Sequence, residues 1–101
     1  MPPPSGWTGR AALVRREGME AILPATLGRW FTQGWLEREA PQLRLISDEL
    51  VGLDREGYAA CCEAIARMDL RSRISEIILP TMIIAGANDV ATPVEMAQEL
   101  H

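Results

Sequence analysis

The chain is 101 residues long, 48% hydrophobic and 24% charged, with a formal net charge of −4. This is enough apolar side chain for one modest core and argues against a disordered chain. The acid excess and the scatter of the arginines leave no basic field to collect phosphates, so nucleic acid is not an expected partner.

The opening Met1-Pro2-Pro3-Pro4 has neither the basic start nor the apolar run of a signal peptide. No apolar stretch approaches the roughly 20 residues that span a bilayer, so the expected location is the cytoplasm, with no membrane partner. From Trp7 the pattern turns helical, and Ala11, Leu13 and Val14 lead to Gly18, where two short helices are expected to meet. The second places Ile22, Leu23, Leu27, Trp30 and Phe31 at the spacing of one buried face, with Pro24 in its first turn or at a kink and its end near Gly34. Pro41 suits the start of a third helix, whose Leu43, Leu45, Ile46, Leu50 and Val51 run up to Gly52.

Asp54 is placed to cap a fourth helix, with Tyr58, Cys61, Cys62, Ile65 and Met68 on one face and an end near Asp69. A disulfide between the adjacent cysteines would be strained, and no Cys-x-x-Cys pair or nearby histidine accompanies them. They read as reduced packing residues, and neither a metal nor a cofactor is expected.

The character changes after Arg73. Ile74, Ile77, Ile78 and Leu79 precede Pro80, and Met82-Ile83-Ile84-Ala85-Gly86 is a continuous apolar run that reads as a strand buried on both faces of a parallel sheet. Thr92 as N-cap, Pro93 at the first helical position and Glu95 then open a last helix. A buried strand needs neighbours, since each unpaired amide or carbonyl costs on the order of 1 to 3 kcal/mol, and no second comparable strand follows from the sequence. Either another chain pairs with it, by self-association for example, or the chain is a piece of a larger protein.

In open α/β sheets reactive groups collect beyond the carboxyl ends of strands, where Asp89 falls; a turn aspartate is the plainer alternative. The segment Pro80 to Asp89 with Ala91-Thr92-Pro93 resembles the part of α/β-hydrolases in which a late strand delivers the acid of a Ser-His-Asp triad, and Asp89 matches that acid. Trp7-Thr8-Gly9-Arg10, Arg29-Trp30-Phe31-Thr32 and Gly57-Tyr58-Ala59-Ala60-Cys61-Cys62, with Asp69-Leu70-Arg71 behind, are similar to 3-oxoadipate enol-lactonases. That resemblance implies an α/β fold seen in part: residues 1–68 as a mostly helical cap, and residues 69–101 as part of the hydrolase core with one strand and a helix.

It further implies hydrolysis of a small enol-lactone, with Asp89 orienting a histidine that takes the proton of a nucleophilic serine. Trp7 is then expected at the pocket and Arg10 at the substrate carboxylate; the alternatives are a packed or hinge tryptophan and a surface salt bridge. Trp30 and Phe31 are expected in the core. The family's Gly-x-Ser-x-Gly elbow has no counterpart around Ser5, Ser47, Ser72 or Ser75, and the one histidine, His101, follows Asp89 too closely to match the triad base. The chain by itself is therefore expected to be inactive. Another capped α/β-hydrolase, such as an esterase or a dehalogenase-like enzyme, is the alternative within enzymes; a small helical module that dimerises is the alternative outside them.

Overall fold

Two helices lying side by side organise the molecule: α1 (Pro4–Glu17) and α5 (Arg55–Arg67) form its most extensive contact. The computed structural model describes residues 4–101, so the expectations for Met1, Pro2 and Pro3 lie outside the described residues. Small side chains bring the two helices close, since Ala11 and Ala59 meet with Cys62 in a fully buried cluster covered by Trp7 and Tyr58. A second cluster of Val14, Met19, Ile22 and Leu50 adjoins it, and Tyr58 packs against both. One guanidinium then clips the pair from the side: Arg15 donates to Glu56 Oε1 at 2.7 Å and also to Glu63.

The connections follow from local chemistry. Gly18 stops α1 by donating its N–H to the Val14 carbonyl at 2.8 Å with φ at +89°, a conformation that disfavours any residue with a Cβ. A 3-10 turn (Met19–Ile22) leads into α2 (Leu23–Trp30), with Pro24 in the first turn where its missing N–H costs nothing. After a single turn, α3 (Gln33–Leu36), comes α4 (Pro41–Val51), opened by Pro41 as expected. Asp54 caps α5 as expected, its Oδ2 accepting the Gly57 N–H at 2.6 Å. The last helix, α6 (Val94–Leu100), is short and stands apart from the core clusters.

Five expectations need correction. The helix expected to reach Gly34 ends at Trp30, because Phe31 is already extended (φ −127°, ψ 149°). Trp30 is not in the core but 56% exposed, and Phe31 is half-buried, stacked on Trp35 with ring centroids 4.3 Å apart. Only one of the two cysteines packs: successive residues on a helix point about 100° apart, so Cys62 faces α1 while Cys61 faces out, both as free thiols. Pro93, not Thr92, caps α6, because the Thr92 side chain is engaged elsewhere.

The fifth correction concerns the core strand. Met82 to Gly86 forms no strand, and the described residues contain no other. A strand is defined by the hydrogen bonds of a pair, and without a partner the apolar run lies open, with Met82 84% and Ile84 87% exposed.

Packing predicts a sharp contrast between two similar side chains. Ile22→Ala, in the second cluster, is expected to cost about 2–5 kcal/mol, whereas Leu45→Ala, on the outer face of α4, is expected to stay within about 0.5 kcal/mol. Urea unfolding followed by circular dichroism checks this, and equal losses would contradict the assigned core.

Candidate active site

Asp89 is held by its own loop. Its Oδ1 accepts the N–H groups of Ala91 at 2.8 Å and Thr92 at 2.9 Å, while the Thr92 hydroxyl donates to Oδ2 at 2.8 Å. The N–H of Asp89 in turn donates to the Gly86 carbonyl at 3.2 Å and closes the turn after the apolar run. The Thr92 amide, then its hydroxyl and the Ala91 amide hold the Asp89 carboxyl below the ordinary carboxylate range, outweighing a small opposing effect of burial. The result is a fixed anion whose Oδ2 keeps a lone pair for one further donor.

That carboxylate lies at an open cleft of about 590 Å³. One wall is the end of α2 and the residues after it, from Gly28 to Thr32; the other is the loop from Gly86 to Ala91. Arg29, Trp30 and Phe31 therefore border the same cleft as Asp89.

Trp7 and Arg10 are brought together one turn apart on α1, and neither borders that cleft. The Arg10 guanidinium carbon sits 4.5 Å from the centroid of the Trp7 ring, a cation–π contact rather than the expected alternative of a surface salt bridge. Trp7 packs on the α1–α5 cluster, yet its indole Nε1 is buried without a hydrogen-bond partner. Such an orphaned donor costs stability unless a ligand or water receives it. Burial, with the nearby Cys62, pushes the Tyr58 hydroxyl up against the opposing pull of Arg10, and burial likewise raises the Cys62 thiol, which suits an inert packing role.

Arg29 is the residue that sequence reasoning missed. It is half-buried on α2, donates from Nη2 to the buried Thr26 hydroxyl at 3.1 Å, and has its pKa lowered first by burial and then by the charge of Arg10. It thus adjoins both the Arg10 surroundings and the Asp89 cleft. The available signal is its place at the head of Arg29-Trp30-Phe31-Thr32, one charge beside two aromatic residues. Among the described residues no group of three or more His, Cys, Asp or Glu side chains could hold a metal ion, and no helix is long and apolar enough to cross a membrane.

Comparison with known proteins bears on this arrangement. The chain is 40% identical over 94 residues to 3-oxoadipate enol-lactonase 2 of Acinetobacter baylyi, covering 93% of this chain and 35% of that protein. It is 32% identical over 89 residues to 3-oxoadipate enol-lactonase 1 of the same organism, covering 88% and 34%. The crystal structure of the enol-lactonase from Burkholderia xenovorans LB400 superposes with a TM-score of 0.94 at 42% identity, covering 98% of this chain and 38% of that one. The chain is a homologue of the enol-lactonases. It is thereby related to a family of hydrolases, and its course is that of a segment of an α/β-hydrolase. It spans about a third of the length of the curated relatives it matches. No protein-family profile matches the chain.

The donors around Asp89 set its titration. Its carboxyl is expected to stay ionised below the usual carboxylate range, and Thr92→Val, which removes the hydroxyl but keeps both amides, is expected to raise the pKa only part of the way back. With a depressed folded pKa, the loop's stabilisation is present above the ordinary carboxylate value and is lost as pH falls through the folded one. Carbon-detected NMR titration of the Asp89 carboxyl checks this, and an ordinary pKa in the unsubstituted chain would contradict the geometry.

Proposed function

We propose that this chain is the cap and acid-bearing segment of a 3-oxoadipate enol-lactonase, which opens the enol-lactone of the β-ketoadipate pathway in the breakdown of aromatic compounds. The observation that carries this reading is the Asp89 carboxylate, held ionised at the rim of a cleft in a chain homologous to enol-lactonases over nearly all its length. In this reading the residues up to 68 cover the active site and residues 69–101 belong to the core, where Met82 to Gly86 becomes a strand once sheet neighbours flank it. The location is the cytoplasm, and the chemistry needs no cofactor.

The mechanism is acyl transfer to a serine. A histidine takes the serine proton, and Asp89 accepts the N–H on the far side of its imidazole, fixing the tautomer and stabilising the cation that forms. The resemblance assigns the Trp7 ring to cover the small lactone and the Arg10 guanidinium to meet its carboxylate, a part of the pocket beyond the cleft that Asp89 borders in this chain. The 101-residue chain contains no Gly-x-Ser-x-Gly motif, and its single histidine ends the sequence, so by itself it is expected to show no lactone turnover. In a protein that joins this segment to such a serine and histidine, Asp89→Asn is expected to lower kcat on the order of 10⁴-fold. Serine-dependent hydrolysis by the 101-residue chain, or an undiminished kcat in Asp89→Asn, would refute the assignment.

A second reading is favoured by the same open apolar run. Exposed Ile78, Met82 and Ile84 offer a surface for self-association through backbone pairing. Sedimentation is then expected to show a dimer that Ile84→Lys returns to monomer; a monomer at high concentration would exclude it.

A further inference from the structure

Every buried residue among those described lies between Ala11 and Cys62. The helices up to Arg67 therefore carry a core of their own, while residues 69–101 add to neither cluster. The imbalance shows in the surface. A compact protein of 11.2 kDa exposes about 5,700 Å². This chain exposes 7721 Å², and its radius of gyration of 15.8 Å exceeds the roughly 13 Å of a compact chain of this length.

One stretch combines open apolar surface with open backbone. Ile78, Leu79, Met82 and Ile84 are each at least 75% exposed. Among the described residues, no amide from Ile78 to Asn88 donates to a backbone carbonyl. The stretch nevertheless keeps a definite course, since the chain superposes over 98% of its length on a segment of the much longer Burkholderia enol-lactonase. It is also presented by a folded support, so docking it would cost little ordering.

The chemistry of the run decides what can cover it. An apolar run without alternation is made to be buried on both faces, and a central strand also needs a neighbour on each edge. A second copy would supply one edge and no covering layer, and a two-stranded ribbon is marginal in water. The surface excess of about 2,000 Å², matched by an equal share on a partner, makes an interface of about 4,000 Å², in the obligate range.

We propose that Ile77 to Asp89 is an intermolecular docking strand, which the chain inserts without a covalent link into a gap one strand wide in the open parallel sheet of a second polypeptide. That polypeptide carries the remaining strands and the helix layers of a hydrolase core. The proposal deepens the reading above and rests on it for the partner's identity; that the joint needs no peptide continuity goes beyond it. Strand addition supplies backbone hydrogen bonds along both edges, and the apolar side chains supply the fit.

The test mixes the 101-residue chain with 3-oxoadipate enol-lactonase 2 of Acinetobacter baylyi from which the homologous residues have been deleted and replaced by a Gly-Ser linker. The two are refolded together from urea, so that a core that needs the strand in order to fold can acquire it. Sedimentation is expected to show a one-to-one complex. Hydrogen exchange of the Met82 to Gly86 amides is expected to be fast in the chain alone and at least about 100-fold slower in the complex. Ile84→Pro, which removes a strand amide far from the helical core, is expected to leave the helical circular dichroism intact and to weaken association at least about tenfold. No complex, a core piece that stays insoluble beside the chain, or a complex indifferent to Ile84→Pro would each overturn the proposal. Protection of the same amides in a symmetric dimer of the chain alone would also overturn it. Turnover of enol-lactone is a separate readout: a complex without turnover counts against the lactonase reading and leaves the docking strand standing, whereas a covalently joined enzyme that turns over while the two pieces never associate does the reverse.

Discussion

The contact between α1 and α5 is the constraint on which the rest of the molecule depends. Trp7, Ala11 and Val14 occur at intervals of four and three along α1, so one stripe both buries the helix and sets the position of the tryptophan at its start. Arg10 sits on the edge of that stripe, and its place over the indole follows from the same packing. Arg15 flanks the contact with two carboxylates, but all three side chains are substantially solvated, so salt screens their attraction. The small-residue contact of Ala11 and Ala59 sets the spacing, and the ion pairs orient it.

Charge is handled in two opposite ways around the cleft. Asp89 is surrounded by donors of its own loop, which makes it a stable anion before any partner arrives. Arg29 is partly buried, tied to a neutral hydroxyl, and set near another cation. The first arrangement suits a group that orients a base without changing protonation state. The second suits a group whose environment improves when an anion binds.

Legibility in the sequence followed the range of the interactions. The Asp54 cap, the openings at Pro24 and Pro41, and the break at Gly18 depend on atoms within three or four residues, and each lies where the sequence puts it. Whether an apolar face is covered depends on distant elements. That is why Trp30 and Leu45 were legible as helical but not as exposed, and why Cys61 and Cys62 took opposite sides. Thr92 fits a cap motif equally well as a donor to Asp89, and only the course of the loop chooses between them. The apolar run from Met82 was legible as chemistry suited to a sheet, while pairing is a property of two segments. The partial burial of Arg29 and its like-charged neighbour are facts of tertiary structure that its place in the sequence does not carry.

The open run has a consequence for handling the protein. From Ile77 to Asn88 the chain has no charge, and Ile77, Ile78, Leu79, Met82 and Ile84 all face solvent. Such a segment is a template for cross-β stacking between molecules. Pro80 divides it into two short halves, because its ring lacks the N–H that a continuous stack would need, and Glu76 and Asp89 repel like copies at either end. Proline and carboxylates thus act as gatekeepers of the apolar run.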